Sequence, residues 1–274
     1  MFTYSPLRYP GGKAQLAKYM ASIVEQNGLL NGTYAEPYAG GAGVAIYLLL
    51  HKYVNQIYIN DIDYSIYAFW YSLKHNTDEL CALIQDTEIS IDNWLLQKEV
   101  QKNLNNYTLL QVGFSTFFLN RTNRSGILKG GVIGGVNQIG AYKLNCRFNK
   151  EGLIKRIRRI VEYKEYIHIS NKDAIDFLEE NYDIFDRNTL IYLDPPYYNK
   201  GQQLYTNFYT HDDHVQLQNY IANTNKKWII TYDNTEAINA IYSGANKIDL
   251  DINYSAAEKR IGSEILFYSP GLVI

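Results

Sequence analysis

Short runs of β-branched and aromatic residues alternate with amphipathic stretches along most of the chain, a pattern that sets strands against helices. Residues 33–36, 56–60, 166–170, 189–193, 227–231, 247–253 and 264–268 read as strands. Residues 13–26, 43–51, 63–74, 173–180, 212–222 and 235–242 read as the helices between them. Such alternation predicts an α/β fold with a mostly parallel sheet covered on both faces. No helical pattern separates the last two strands, so they are expected to pair as an antiparallel hairpin. Between about residues 75 and 160 the alternation stops. Helical stretches there lead into a loop rich in glycine: Gly126, Gly130, Gly131, Gly134, Gly135 and Gly140. The pattern predicts a subdomain at 75–160 inserted into a domain built from 1–74 and 161–274.

A chain of 274 residues suits one large domain or a domain with an insertion. With 46% hydrophobic and 20% charged residues, disorder, collagen and coiled coil are excluded as descriptions. The two cysteines, Cys81 and Cys146, lack C-x-x-C spacing, which argues against a disulfide framework and a structural zinc site. No secretory pattern opens the chain and no apolar run reaches membrane length, so a cytoplasmic protein without a membrane partner is expected. The 26 tyrosines accompany frequent Asn, Ile and Lys, as an A/T-biased coding sequence produces, and carry no functional weight.

Charge changes the picture more. Residues 98–160 hold twelve basic side chains against Glu99 and Glu151, a local charge of +10 that leaves -12 for the rest of a chain whose net charge is -2. Such segregation suggests an electrostatic footprint for a polyanion. The bland alternative is a solvated helix face, since Leu153, Ile154, Ile157 and Ile160 recur at helical spacing and leave Lys155, Arg156, Arg158 and Arg159 outside.

In open α/β sheets ligands bind beyond the carboxyl ends of strands. The first predicted strand runs into Glu36-Pro37-Tyr38-Ala39-Gly40-Gly41, and the second ends at Asp61, 21 residues beyond Gly40. A glycine loop followed by an acid at that distance fits a nucleoside-containing cofactor with its ribose on the acid, although the loop alone is equally consistent with a tight turn. A dinucleotide would want a small residue at Ile46. A P-loop would want glycine at Leu7 and Ser or Thr at Ala14, after Pro10-Gly11-Gly12-Lys13. An acidic loop suits a nucleoside with a cationic, phosphate-free tail, and S-adenosylmethionine is such a molecule.

The fourth strand ends in Asp194-Pro195-Pro196-Tyr197. Two prolines after an apolar strand cannot continue a ladder, so they fix a rigid turn that presents Asp194 and Tyr197 at the sheet edge. Taken together, these segments resemble the Dam-type (D12 class) DNA adenine-N6 methyltransferases, with the motif order of their α group. The resemblance spans nearly the whole chain. It rests on the DPPY tetrapeptide, the loop at Glu36, the segment Leu7-Arg8-Tyr9-Pro10-Gly11-Gly12-Lys13, Asp61, and Asn120-Arg121-Thr122-Asn123-Arg124 in the insert. It implies a Rossmann-like S-adenosylmethionine-dependent methyltransferase sheet with an inserted target-recognition subdomain. Tyr9, Lys13, Glu36, Pro37, Gly40, Asp61, Asp173 and Asp194 are then the implied cofactor contacts. Tyr9 departs from the tryptophan of Dam itself but keeps an aromatic ring. Asn120, Arg121, Asn123, Arg124 and Lys129 become the candidate DNA contacts, with Arg124 and Asn123 as base readers and Lys129 on phosphate. The implied partners are double-stranded DNA and a cognate restriction endonuclease, and the implied state is a monomer.

Chemically, the exocyclic amine of adenine is a poor nucleophile, because its lone pair is conjugated into the ring. Asp194 and the Pro195 carbonyl, held by Pro196, are placed to accept its two hydrogens, and Tyr197 to stack on a base flipped from the duplex. No metal is required. His211-Asp212-Asp213-His214 suggests a metal cluster, yet it opens a predicted helix where acids are ordinary and no third ligand follows at a recognisable spacing. Competing readings are a cytosine-N4 or RNA methyltransferase on the same fold, a catalytically silent DNA-binding module, and an NAD oxidoreductase.

Overall fold

The computed structural model describes residues 4–8, 13–198, 209–254 and 260–274. The chain divides into two compact units. One contains Lys13–Asp63 and Tyr166–Ile274, the other Met1–Gly12 and Tyr64–Glu165.

The first unit is built on a seven-stranded sheet. Its strands are β1 (Gly32–Glu36), β2 (Val54–Asn60), β3 (Ile167–Ser170), β4 (Thr189–Leu193), β5 (Lys227–Asp233), β6 (Asn246–Tyr254) and β7 (Arg260–Tyr268). They lie in the order β3-β2-β1-β4-β5-β7-β6. The first five are parallel, and β7 runs antiparallel to both β5 and β6, as expected of the terminal hairpin. Every residue of β4 is buried, the signature of a central parallel strand. The chain leaves β1 towards β2 and β3, then returns to place β4 on the other side of β1. Between β1 and β4 lies the topological switch point, where the loops leaving two neighbouring strands part and open a crevice. Helices α1 (Ala17–Gln26) and α2 (Gly43–Leu50) precede α3 (Tyr64–His75), which opens the longer segment of the second unit. The helix predicted over 13–26 starts instead with a 3-10 turn at Lys13–Leu16.

The second unit is helical. It comprises α3, α4 (Thr77–Asp86), α5 (Ile91–Lys102), α6 (Leu109–Thr122) and α7 (Lys150–Val161). A capping box between Thr108 and Gln111 starts α6, and from Val112 to Thr122 all of its residues are buried. Such a helix must be surrounded, and α3, α4 and α5 pack against it. At its closest approach to α3, a Cβ on Gly113 would lie 2.5 Å from the carbonyl oxygen of Ala68, so only glycine lets the two backbones meet there. This packing explains why the division falls at Tyr64 and not at residue 75: α3, which periodicity assigns to the sheet domain, buries its face in the helical unit. Helices α8 (Ala174–Glu180), α9 (His211–Asn223) and α10 (Glu236–Ile241) belong to the sheet unit. No helix among the described residues is long and apolar enough to cross a membrane.

Candidate active site

The loop after β1 turns tightly enough to aim backbone donors at a neighbouring acid. Gly40 (φ 46) and Ala42 (φ 44) both adopt left-handed backbone conformations, which cost glycine nothing and a non-glycine residue about 1 kcal/mol. In that turn the Gly40 amide donates to Asp61 Oδ2 at 2.8 Å, while the Asp63 amide donates to Oδ1 at 2.9 Å. Glycine loop and acid, 21 positions apart, are therefore joined directly. Desolvation, with a smaller contribution from Asp63, pushes the Asp61 carboxyl up to about 7 against the two backbone donors. Glu36, 4% exposed, accepts from the Ala45 amide in the first turn of α2 at 3.1 Å. Its burial raises its carboxyl to about 8. Beyond β3, Asp173 caps α8 by accepting from the Ile175 amide at 2.8 Å. None of these three carboxylates is in an ion pair among the described residues.

Asn60, which sequence reasoning missed, binds these loops to one another. Its amide nitrogen donates to the carbonyls of Pro37 (3.0 Å) and Lys172 (2.9 Å), and its oxygen accepts from Ser170 Oγ (2.8 Å) and the Lys172 amide (3.0 Å). The signal was available: an uncharged amide at the inward-facing end of a buried strand has to be satisfied internally.

At the end of β4, two further carboxylates share one lysine. Lys13 Nζ donates to Asp194 Oδ1 at 2.8 Å and to the Tyr197 hydroxyl at 3.2 Å, and lies 3.4 Å from Glu264 Oε1. Thr231 also donates to Asp194 Oδ1 at 3.0 Å, and Tyr197 donates to Glu264 Oε1 at 2.5 Å. The double proline turn leaves Tyr198 with its amide on Asp233 Oδ1 at 3.0 Å, which fixes the exit of the turn. Lys13 thus sits at the DPPY turn, held by Asp194 and Glu264. Tyr9, Pro10, Gly11 and Gly12 lie outside the described residues.

His211-Asp212-Asp213-His214 behaves as a helix start. Asp213 forms a capping box with Thr210, and His214 is fully buried with Nδ1 at 3.0 Å from the Tyr232 hydroxyl. Desolvation lowers the His214 imidazole to about 4, so it is neutral near pH 7.

Three of the five candidate DNA contacts lie in the interior of the helical unit. Asn120, Arg121 and Asn123 are buried. Asn120 bridges the Arg8 backbone and the Gly126 carbonyl. Asn123 accepts from Trp94 Nε1 at 2.7 Å and gives both amide hydrogens to the Ile127 and Leu128 carbonyls. Arg121 bonds the Pro6 carbonyl, and desolvation, then Arg156 and Arg8, lower its guanidinium to about 9. With their amide hydrogens all given to backbone carbonyls, the two asparagines build the loop from inside and have no hydrogen left for a base edge. Arg124 and Lys129 are exposed on that loop. Along α7, Arg158 is paired with Asp78, a partner outside the 98–160 count, while Arg159 lies over the Tyr4 ring and Arg156 donates to the Ser5 carbonyl.

A family model described as D12 class N6 adenine-specific DNA methyltransferase matches residues 9–256. The type II methyltransferase M.MjaIII of Methanocaldococcus jannaschii is 24% identical over 263 residues, covering 88% of this chain and 88% of its own. The type II methyltransferase M.CviBI of Paramecium bursaria Chlorella virus NC1A is 22% identical over 279 residues, covering 94% and 95%. Among solved structures, the rRNA methyltransferase aviRa of Streptomyces viridochromogenes overlays with a TM-score of 0.37 and 11% identity, over 91% of this chain and 82% of that one.

Proposed function

The chain belongs to the D12 class of N6 adenine-specific DNA methyltransferases, and on that premise we propose a division of labour among its carboxylates. Glu36, Asp61 and Asp173, with Pro37 and Gly40 shaping the loop, hold S-adenosylmethionine. Asp194 and the Pro195 carbonyl, kept in place by Pro196, hold the amine of a flipped adenine against Tyr197. Support for the cofactor comes from the donor set: three acidic side chains have no cationic partner among the described residues, and the two that burial holds partly protonated, Glu36 and Asp61, would ionise more readily beside a positively charged nucleoside and less readily beside a pyrophosphate. When bound, S-adenosylmethionine supplies an electrophilic methyl group on a positively charged sulfur.

The protein's own groups prepare the nucleophile. Lys13 and Thr231 both bond Asp194 Oδ1, which orients the carboxylate and leaves Oδ2 for one amine hydrogen. The Pro195 carbonyl takes the other. Two acceptors on opposite sides of the amine favour a pyramidal nitrogen whose lone pair is no longer spread into the ring. Holding that nitrogen in line with the methyl group supplies much of the acceleration. Because the Tyr197 hydroxyl is pinned to Lys13 and Glu264, its ring has one orientation to offer the base, which offsets part of the few kcal/mol that flipping costs.

Double-stranded DNA is the substrate, gripped through phosphates by the basic helical unit, with Arg124 reading a base edge and Lys129 on the backbone. The type II naming of both relatives supports a restriction-modification setting with a cognate endonuclease, in which the enzyme acts as a cytoplasmic monomer. The carrying observation is the position of Asp194 and Glu36 at the ends of β4 and β1, adjacent strands flanking the switch point. Incubation with S-adenosylmethionine and duplex DNA, digestion to nucleosides and mass spectrometry should yield N6-methyladenine. N4-methylcytosine, or unmodified DNA, would overturn the reading.

A further inference from the structure

Glu264 enters the mechanism above only as an anchor for the Tyr197 hydroxyl, yet it is the most deeply placed charge beside the reacting groups. It sits on β7 opposite Asp233 of β5 and Leu250 of β6, and is 1% exposed. Its Oε1 takes the 2.5 Å bond from Tyr197 and faces Lys13, while its Oε2 is buried with no hydrogen-bond partner among the described residues. A buried carboxylate oxygen left unbonded needs an explanation, because its desolvation is not offset by a donor. A proton on that carboxyl would remove much of the cost.

The proposed reaction produces one proton per turnover. The bond between sulfur and the methyl carbon breaks and a bond between the methyl carbon and N6 forms. Sulfur keeps the bonding pair as a neutral thioether, and N6 carries the positive charge until it loses a hydrogen. Asp194 is the nearest base, but it must be ionised again before the next amine arrives. With Lys13 charged and both carboxyls ionised, the cluster of Asp194, Lys13, Tyr197 and Glu264 carries a net charge of -1, so it has room for one proton.

Resting on the function proposed above, we propose that Glu264 is the resting place of the proton released from N6, and so acts as a positioning and proton-storing residue behind Asp194. The proton passes from N6 to Asp194. A turn of the Asp194 carboxyl hands it to Lys13 as Lys13 gives one of its own to the Tyr197 oxygen, and the Tyr197 hydroxyl proton moves to Glu264 Oε1. Asp194 ends ionised, Lys13 charged, Tyr197 neutral and Glu264 protonated. The spacing of 2.8, 3.2 and 2.5 Å along this path is hydrogen-bonded throughout.

Burial, the largest influence, and the nearby Asp194 raise the Glu264 carboxyl above the ordinary range, while Lys13 and the Tyr197 hydroxyl oppose them. Of the other groups around it, Tyr192 is buried and bonded to Thr231 at 2.8 Å, and cross-strand Asp233 is engaged by the Tyr198 amide.

The test is single-turnover methylation across pH by the wild type, Glu264→Gln and Tyr197→Phe, with S-adenosylmethionine and DNA affinities measured alongside. Wild-type rate should rise with pH as Glu264 ionises and becomes able to accept. Both variants should lose that limb and run about a hundredfold slower on the plateau, with little change in either affinity. Infrared spectra of the protein without ligands should contain a protonated-carboxyl band that titrates in the wild type and is missing from Glu264→Gln. An unchanged acid limb in either variant, or the same band in Glu264→Gln, would overturn the assignment. Should Glu264→Gln fail to fold, Tyr197→Phe, which keeps the ring, decides alone. Failure of the wild type to form N6-methyladenine would instead sink the function reading, while the infrared band would still report on Glu264.

Discussion

The sheet unit and the helical unit both bury charge, and they satisfy it in opposite ways. In the sheet unit the buried or half-buried charges around the site are carboxylates: Glu36, Asp61, Asp194 and Glu264 have one lysine among them. In the helical unit they are arginines, and Arg8, Arg121 and Arg156 donate to the backbone carbonyls of Asn123, Pro6 and Ser5. Carbonyls satisfy the geometry of a guanidinium without cancelling its charge. Each unit is therefore left with uncompensated groups of one kind, acids where a sulfonium cofactor is proposed and cations where a polyanion is proposed. Burial disfavours the charged form of both, raising the carboxyls of Glu36 and Asp61 and lowering the guanidinium of Arg121, so each unit gains from a partner of opposite charge.

The largest expected effect falls on the sheet side. Asp194→Ala should lower single-turnover methylation at least a hundredfold while DNA affinity, set by the other unit, stays close to wild type. Comparable losses of DNA binding would mean that the two roles are not separable.

Next comes pH. The Glu36 carboxyl is raised from 4.5 to about 8, so the folded state binds its proton more tightly than the unfolded chain. The stability this provides is complete below about pH 4.5 and is lost as pH climbs towards 8, a change of a few kcal/mol for so buried a group. Urea titrations should find a smaller loss of stability over that range in Glu36→Gln than in the wild type. A parallel decline in both proteins would assign the loss to other groups. Asp61, raised to about 7 for the same reason, adds to the wild-type slope.

On the helical side, Asn123→Ala should destabilise by about 2 kcal/mol, because it strands the buried Trp94 indole N–H and the Ile127 and Leu128 carbonyls. Chemical denaturation would measure this. A near-neutral result, with altered sequence preference instead, would return Asn123 to base reading. Arg124→Ala, by contrast, should leave stability unchanged and relax target preference by about 1–3 kcal/mol at one position, as methylation mapping would record.

The smallest effect concerns salt. If α7 meets phosphates, replacing Arg156 and Arg159 with Ala should make the dependence of log affinity on log salt shallower by roughly 0.9 for each phosphate no longer neutralised. Arg158→Ala should change it less, since Arg158 is already paired with Asp78. Equal slopes in all three proteins would leave α7 as a solvated helix face.

Local pattern carried much of this structure. Short β-branched and aromatic runs located all seven strands, and the absence of a helical pattern before β7 marked the hairpin. The double proline after an apolar run placed Asp194 at a strand end, and the interval from Gly40 to Asp61 corresponds to a single 2.8 Å hydrogen bond. Each of these depends on neighbours within one or two elements, where the covalent chain restricts the geometry.

Other features depend on where distant segments meet. The family resemblance made Asn120, Arg121 and Asn123 candidate DNA contacts, and nothing local reveals that Asn120 is bonded on both sides to the Arg8 backbone, more than a hundred positions away. Helix α3 carries an amphipathic pattern that suits either unit, and only the close approach at Gly113 assigns it to the helical one. Lys13 and Glu264, at opposite ends of the chain, share the Tyr197 hydroxyl because β7 enters the sheet next to β5. Composition and periodicity thus determined the kinds of element and the chemistry each could carry. Strand order and packing decided which charges were buried together, because desolvation and pairing energies depend on separation in space and not on separation along the chain.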